Sequence, residues 1–477
     1  MRRVALRSKS LFSVIILIAS LLYRGAFGVA YAESGANKNI SALVSGLKSQ
    51  IGISVIDLDS NGQTIFEYKS KVPLKPASVL KVVTSAAVLS RLGPEHVIAT
   101  KIFADGLEKG VAKTLYIQGA GDPSLNIEAA WLMARQLKTH GLKKFIKLVL
   151  DDSLFSESRT PVGQRAFQTG SSALSFNYNS IGITVCPGEL GDSAKIQTDP
   201  WEVGATIKNE VKTVSGSGQV FSVSSIDRKK QPFAFAVKGK IGRYSECETV
   251  FRSVENPVNY FGATFLSLIK SIGIDAPKGF EIGVVPKSSE LLLTHESKEA
   301  KHLVEDLNHF SNNFIGEQLL YILGDKFPQS SSEDAPGRFD LSLGVKRLGD
   351  YLLNLGCSED EFALFDGSGL SHANRLSPRV VTRILQAVFA DDAIRPEFEN
   401  SLSVALKSGT LKKRAFEPPG IILRGKTGTL DGVSSLAGYL ITDKGKRLAF
   451  AILQNGVPSK DQAVATENKI VHLLFSS

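Results

Sequence analysis

A long β-rich stretch in the middle of the chain, from about residue 99 to residue 285, most constrains how the 477 residues can fold. Turn residues divide it into short segments of β-branched and aromatic residues, a pattern that favours strands. One short helix is predicted at about 127–140. Because the segments on both sides are largely helical, we interpret 99–285 as a β-rich insertion, with two small subdomains, inside another domain.

The two chain ends together predict one α/β (α+β) domain. Residues 51–67 indicate two strands around a turn at 59–62, and the C-terminus supplies strands at about 435–442 and 448–453. Apolar residues at three- to four-residue spacing predict helices at about 78–92, 301–324, 339–355, 377–390 and 463–474. Helices flanking an antiparallel sheet form a layered sandwich. We therefore predict a split domain of residues 33–98 and 286–477 around a central antiparallel sheet.

The first 32 residues have the order of a secretory signal peptide. Basic residues precede an apolar run from Leu11 to Leu22, and Ala30-Tyr31-Ala32 forms a cleavage pattern. No later stretch reaches the roughly 18 apolar residues of a membrane span. We therefore predict a protein exported to the periplasm or the extracytoplasmic cell envelope, with no integral membrane segment after cleavage. An uncleaved N-terminal membrane helix is the alternative.

Composition argues against two classes of partner. Cleavage would remove five basic and no acidic residues, which lowers the formal net charge from +9 to +4. The remaining basic residues are interspersed with acidic ones, so we predict no nucleic-acid surface. The seven histidines show no metal-ligand spacing, and neither do the three cysteines, so we predict no metal and no cofactor.

The three cysteines, Cys186, Cys247 and Cys357, allow at most one disulfide within the chain. An exported protein meets an oxidising compartment, where disulfides persist. Cys186 and Cys247 share the central segment and are the favoured pair. Three buried free thiols are the alternative, which the sequence leaves open.

Three short motifs bear on chemistry, and each occurs often by chance. Only their combination and context are informative. The pattern S-x-x-K begins at Ser45, Ser78 and Ser267, the positions where S-x-N begins include Ser175 and Ser311, and K-T-G occurs once, at Lys426-Thr427-Gly428.

Ser78 stands out among these serines by its setting. It follows Pro76-Ala77 and begins a strongly apolar helix, where unpaired backbone N–H groups and the helix dipole favour an anion. Lys81 lies three residues on, on the same helix face, within reach of the Ser78 hydroxyl. The alternative is that Ser78 only caps this helix. Ser45 lies in a polar helix without such a setting.

In this order, S-x-x-K, S-x-N and K-T-G are the signature set of β-lactamases and penicillin-binding proteins. The chain resembles the low-molecular-mass class C penicillin-binding proteins, a DD-carboxypeptidase/endopeptidase family whose catalytic domain is split by an insertion after the S-x-x-K helix. The sequence contains neither the G-x-S-x-G elbow of α/β-hydrolases nor the H-E-x-x-H motif of zinc peptidases, so these two hydrolase classes are disfavoured. Further matching stretches extend over essentially the whole chain: Gly119–Ser124, Asp151–Phe155, Ala173–Asn179, Asp366–Ser371 and Asn374-Arg375.

The resemblance implies a serine DD-peptidase that forms an acyl-enzyme, and it implies five catalytic residues. Ser78 is the nucleophile and Lys81 its general base. Ser311 relays a proton to the leaving amine, while Asn313 hydrogen-bonds the substrate backbone. Lys426 helps to hold the substrate carboxylate. The implied substrates are peptidoglycan stem peptides that end in, or are cross-linked through, D-alanine, and β-lactams are implied as covalent inhibitors.

The resemblance also implies substrate-binding residues. Thr427, Gly428 and Thr429 line the substrate, with the Thr427 hydroxyl on its carboxylate and the Thr429 N–H, together with that of Ser78, in the oxyanion hole. Asp151 is implied to grip the amino end of a diaminopimelate side chain. These roles come from the resemblance and not from spacing alone.

Two positions depart from the family pattern. His372 stands where an arginine commonly helps to recognise the diaminopimelate carboxylate. Asp431 follows the K-T-G-T segment, where a neutral residue would suit an anionic ligand better. Recognition of diaminopimelate is therefore an open question, whereas D-Ala-D-Ala chemistry is not.

Two other functions remain as alternatives. A β-lactamase of the same superfamily is disfavoured by the large insertion. A non-enzymatic wall-binding protein is disfavoured because all three motifs are intact. Family members are sometimes dimeric, and no stretch of the sequence decides between a monomer and a homodimer.

Overall fold

The computed structural model describes residues 35–326, 335–418 and 420–477. The signal peptide predicted for residues 1–32 lies outside these residues. Within them, no helix combines the length and apolar composition needed to cross a membrane. In chain order the helices are α1 Gly35–Ser45, α2 Leu80–Leu92, α3 Ile127–Thr139, α4 Pro257–Ser271, α5 Ala300–His309, α6 Asn313–Leu323, α7 Leu341–Asn354, α8 Pro378–Phe389, α9 Arg395–Ser401 and α10 Lys460–Phe475.

The strands form one large sheet from both chain ends, one large sheet in the middle of the chain, and smaller sheets. In chain order they are β1 Gln50–Asp57, β2 Gln63–Tyr68, β3 Ala99–Asp105, β4 Val111–Gln118, β5 Lys144–Asp151, β6 Ser180–Cys186, β7 Lys195–Asp199, β8 Thr206–Val214, β9 Gln219–Ser225, β10 Ala234–Gly242, β11 Glu248–Ser253, β12 Glu281–Ile282, β13 Glu290–Glu296, β14 Phe362–Ala363, β15 Arg375–Leu376, β16 Ser403–Val404, β17 Ile422–Leu430, β18 Val433–Ile441 and β19 Arg447–Asn455.

The central sheet joins the two ends of the chain. Its strand order is β16-β17-β18-β19-β1-β2, and every neighbouring pair is antiparallel. The pairing of β1 with β19 runs from Gln50 opposite Asn455 to Asp57 opposite Leu448. The predicted α/β class, with a central antiparallel sheet built from both chain ends, is confirmed.

Helices cover both faces of this sheet. Successive side chains of a strand point to opposite faces. Ala451 and Leu453 of β19 accordingly pack in one apolar core with α2, α5 and α8, whereas Ile452 packs in another with α1 and α10. Every residue of α2 from Leu80 to Leu89 is buried. The start of α2 is therefore held rigidly by the surrounding core.

The middle of the chain has its own sheets and its own apolar core. A five-stranded sheet has the order β12-β5-β4-β3-β13, and two three-stranded sheets have the orders β8-β10-β9 and β11-β6-β7. α3 and α4 contribute to the core that these sheets share. Because β13 pairs with β3, the inserted sheet continues past residue 285 to Glu296. The division into domains and two inserted subdomains stays a prediction.

Of the two cysteine alternatives, the structure contains the disulfide. Cys186, the last residue of β6, is bonded to Cys247, the residue before β11, and Cys357 is a buried free thiol. The bonded residues are 61 positions apart. Closing a loop of that length restricts the unfolded chain and stabilises the fold by about 4 kcal/mol in the chain-entropy model.

The single helix predicted at 301–324 is wrong, because α5 and α6 are separate helices. Ser311 lies between them with a φ of 55°, which ends the first helix, and the Asn312 side chain caps the second by accepting the Ile315 N–H. Apolar residues of both helices pack into the same core. The apolar spacing therefore continues across the break and gives no sign of it.

Candidate active site

Ser78 lies in a single 3-10 turn, Ala77–Val79, that leads directly into α2. Ala77 has a φ of 48°, in the left-handed region that L-residues rarely adopt, so the backbone just before the serine is strained. β17 packs against this turn at Gly428, where an added Cβ would lie only 2.7 Å from the Pro76 carbonyl oxygen and 3.1 Å from the Ser78 nitrogen. The lack of a side chain at Gly428 thus permits the strand to approach the backbone of the serine.

Lys81 is fully buried, and its amine has three partners. Nζ lies 3.0 Å from Ser78 Oγ, 2.8 Å from Asn313 Oδ1 and 2.6 Å from the Ser368 carbonyl oxygen. The last two are acceptors only, so each takes an N–H from the amine. A neutral amine then has its lone pair left for the Ser78 hydroxyl proton.

The surroundings of Lys81 favour this neutral form. Burial lowers the pKa of Lys81 to about 7, although the carboxylates of Asp366 and Glu317 act in the opposite direction. Burial, followed by the nearby Lys81, also lowers the pKa of Lys426 well below its usual range. Charge on one of these buried amines therefore disfavours charge on the other.

Lys426 connects the K-T-G strand to the S-x-N motif. It lies within β17, and its Nζ donates to Ser311 Oγ at 3.0 Å and to the Thr427 carbonyl oxygen at 2.9 Å. Ser311 holds its left-handed conformation between α5 and α6, so its hydroxyl is placed by a break in the helices. The structure thus brings together Ser78, Lys81, Ser311, Asn313 and Lys426, as predicted from three separate motifs.

The predicted carboxylate-binding strand presents hydroxyl groups beside this cluster. Thr427 is half-buried, and its hydroxyl donates to Thr410 Oγ1 at 2.9 Å. Thr429 is exposed two residues further along β17. Thr410 lies in the 3-10 turn Gly409–Leu411, and sequence reasoning missed it because no motif includes it.

Asp151 is not brought to this cluster. It is fully buried at the end of β5, where its carboxylate accepts hydrogen bonds from Gln118 Nε2, the Ser153 N–H and the Val285 N–H. These bonds hold inserted elements together. In the competing S-x-N pair, the Ser175 hydroxyl donates to the Ser172 carbonyl oxygen and accepts from the Ser172 N–H and from Asn179 Nδ2.

Two carboxylates near Lys81 were not singled out from the sequence. Asp366 accepts the N–H groups of Gly369 and Ser371 and thereby fixes the loop that carries Ser368. Glu317 accepts the Ser368 N–H at 3.2 Å. A charged residue at 317 inside the apolar run 314–323 was the available signal, because a helix buried in a core rarely carries an unpaired charge.

A cavity of about 290 Å³ opens beside Asn313. Its lining includes Arg159 and Phe167 from the inserted segment, and Glu317 and His372 from the catalytic side. His372 is exposed there, and Asp431 is exposed after the end of β17. The described part of the chain contains no group of three or more His, Cys, Asp or Glu residues placed to hold a metal ion.

Comparison with known families decides the class of this protein. The model of the D-Ala-D-Ala carboxypeptidase 3 (S13) family matches residues 37–476. The chain belongs to this family. The resemblance to low-molecular-mass class C penicillin-binding proteins is thereby confirmed, and the protein is a serine-type D-Ala-D-Ala carboxypeptidase.

Relatives of this S13 peptidase match over most of their length. The D-alanyl-D-alanine carboxypeptidase of Actinomadura sp. (strain R39) is 29% identical over 431 residues, which cover 85% of this chain and 77% of that protein. The carboxypeptidase DacB of Haemophilus influenzae is 25% identical over 475 residues, which cover 95% of each.

Solved structures share the fold of this S13 peptidase. The crystal structure of penicillin-binding protein 4 from H. influenzae has a TM-score of 0.76 and 22% identity, covering 92% of this chain and all of the other. A predatory endopeptidase from Bdellovibrio bacteriovorus, acylated by penicillin G, has a TM-score of 0.51 and 15% identity, covering 89% of this chain and 92% of the other. At these identities the likeness concerns the fold alone.

Proposed function

We propose that the protein removes terminal D-alanine from peptidoglycan stem peptides through an ester of Ser78. The observation that carries this proposal is the buried Lys81 amine, which lies 3.0 Å from Ser78 Oγ and is held by two carbonyl oxygens. In acylation, Ser78 Oγ bonds to the carbonyl carbon of the penultimate D-alanine while Lys81 takes the hydroxyl proton. The C–N bond then breaks, the terminal D-alanine leaves as an amine, and water hydrolyses the ester.

We assign the remaining steps to the second and third motifs. Ser311 passes the proton to the leaving amine, and Asn313 binds the substrate backbone as well as Lys81. The backbone N–H groups of Ser78 and Thr429 stabilise the developing oxyanion, and one such donor contributes about 3 kcal/mol to the transition state. The close approach of β17 to the Ser78 turn at Gly428 supports this pairing of donors.

Recognition of the terminal carboxylate is assigned to Lys426 and Thr427. Lys426 is fully buried, so we assign it an electrostatic attraction for the substrate carboxylate. Thr427 is half-buried, so its hydroxyl can bond to the carboxylate directly. An arriving carboxylate favours the ammonium form of Lys426, and a charged Lys426 in turn disfavours charge on Lys81.

Acylation is expected to rise with pH through an apparent pKa of about 7, the value to which burial lowers the pKa of Lys81. Below this pH the ammonium has no lone pair for the Ser78 proton, and above it the amine does. The second-order rate constant of labelling by a fluorescent penicillin, measured from about pH 5 to about pH 10, checks this. A rate that does not fall below neutral pH would contradict Lys81 as the base.

Several finer aspects belong to the same proposal. We propose the cleavage of D-alanine cross-links between stem peptides as a second activity of the same site. We also propose that β-lactams acylate Ser78. Selectivity for the stem-peptide side chain is assigned to the cavity beside Asn313, which His372 and Arg159 line. The Cys186–Cys247 disulfide supports export to an oxidising extracytoplasmic compartment.

Mass spectrometry of muropeptides before and after incubation tests the proposed function. Monomeric pentapeptides should lose one D-alanine, and cross-linked dimers should yield monomers if the second activity is present. Rapid turnover of penicillin without a stable adduct would instead indicate a β-lactamase. Stoichiometric binding of muropeptides with no release of D-alanine would indicate a wall-binding protein.

A further inference from the structure

Glu317 lies four residues after Asn313 in α6, and therefore on the same side of the helix. Its side chain is 14% exposed, so the carboxylate is largely out of water. One oxygen accepts the Ser368 N–H at 3.2 Å. The other lies 3.0 Å from Nη1 of Arg159, a residue of the inserted segment. Removing a carboxylate from water costs free energy, and the contacts with Ser368 and Arg159 offset part of that cost.

The Ser368 backbone connects this carboxylate to the nucleophile's base. Its N–H is held by Glu317, and its carbonyl oxygen accepts the Lys81 amine at 2.6 Å. The neighbouring Gly367 carbonyl oxygen accepts the hydroxyl of Thr84, one turn along α2, at 2.7 Å. A shift of the Ser368 backbone would therefore move the acceptor that orients the Lys81 lone pair toward Ser78.

We infer that Glu317, paired with Arg159, is a positioning residue for acylation: it fixes the Ser368 backbone that orients Lys81, and its charge influences the protonation of that lysine. This inference rests on the proposed roles of Ser78 and Lys81. It goes beyond them by giving the inserted segment a direct part in the chemistry, since Arg159 holds one oxygen of the carboxylate.

The electrostatic part of the inference concerns several groups that face one another. Burial and the nearby Asp366 raise the pKa of Glu317 to about 7, whereas Arg159 and Lys81 act in the opposite direction. When Glu317 is ionised, it favours the ammonium form of Lys81. The charged and titratable groups around Glu317 are the following: Lys81 on α2, Asp366 on the loop before β15, Arg159 on the inserted segment, Tyr321 on α6 itself, and His372 in the lining of the same cavity.

Two substitutions separate positioning from charge. Glu317→Gln keeps an acceptor for the Ser368 N–H but removes the anion, so the acid limb of the acylation profile should move to lower pH by about 1 unit. The rate on the plateau should stay within a few-fold of the wild-type rate. Glu317→Leu removes the anion and the acceptor, so its acid limb should shift in the same way. It also leaves the Ser368 N–H unpaired and should therefore lower the plateau rate by about 10- to 100-fold.

The experiment measures penicillin labelling of the full mature chain across pH, with thermal unfolding of each variant recorded beside it. Glu305→Gln is the matched control, because Glu305 is an exposed carboxylate on α5, and its profile should overlay that of the wild type. An unshifted limb for Glu317→Gln, in a protein that still acylates at Ser78, would overturn this inference alone. Failure of the wild-type protein to form any adduct would overturn the proposed function and this inference with it.

Discussion

Replacing Ser78 by alanine is expected to abolish the penicillin adduct and to lower release of D-alanine by about 10⁴-fold or more. The alanine variant lacks the hydroxyl that lies 3.0 Å from the Lys81 amine, whereas Lys81, Asn313 and Lys426 keep their other partners. Non-covalent binding of a stem peptide should therefore survive. Intact-protein mass spectrometry after incubation with penicillin, together with a D-alanine assay, measures both effects.

Ser45→Ala provides a matched control for this prediction. Ser45 also stands three residues before a lysine, but it is exposed at the end of α1, and its hydroxyl donates only to the Ala42 carbonyl oxygen at 3.0 Å. This variant should acylate at the wild-type rate. A penicillin adduct that persists in the Ser78→Ala protein would place the nucleophile elsewhere.

The sequence predicted the parts of the fold that follow from local pattern. β1 and β19 were recognised because apolar strands next to turn residues leave a clear signal at each chain end. The candidate catalytic residues were predicted from the family resemblance that the motif order indicates. The structure places Lys81 beside both Ser78 and Asn313, and Asn313 is 232 residues from Lys81 along the chain. Motifs predict such contacts because residues that take part in one reaction must lie together in the folded protein.

Features that depend on tertiary contacts were not predictable in the same way. The break at Ser311 is hidden because α5 and α6 bury their apolar residues in one core. The sequence does not indicate the participation of Arg159, because this residue lies 158 positions before Glu317, its partner in the structure. Thr410 is hidden for a related reason, since its contact with Thr427 arises only when the turn Gly409–Leu411 packs beside β17.

Replacing Lys81 by methionine is expected to slow acylation of Ser78 by about 10³-fold while leaving the adduct on the same serine. Methionine has a similar length and no charge, so it suits a site that is fully buried, and the temperature of unfolding should not fall markedly. The slow residual reaction should also lose the acid limb near pH 7, because the group that titrates there is gone. Stopped-flow labelling across pH measures the rate and the limb together.

Lys48→Met is the matched control, since Lys48 completes another S-x-x-K pattern outside the cluster. Its rate and pH profile should equal those of the wild type. If Lys81→Met acylated within about tenfold of the wild-type rate, general-base catalysis by this lysine would account for too little of the barrier to be the activating step. If the rate fell but the limb near pH 7 persisted, another group would be the base, and Glu317, whose pKa is raised to about the same value, would be the first to substitute in that background.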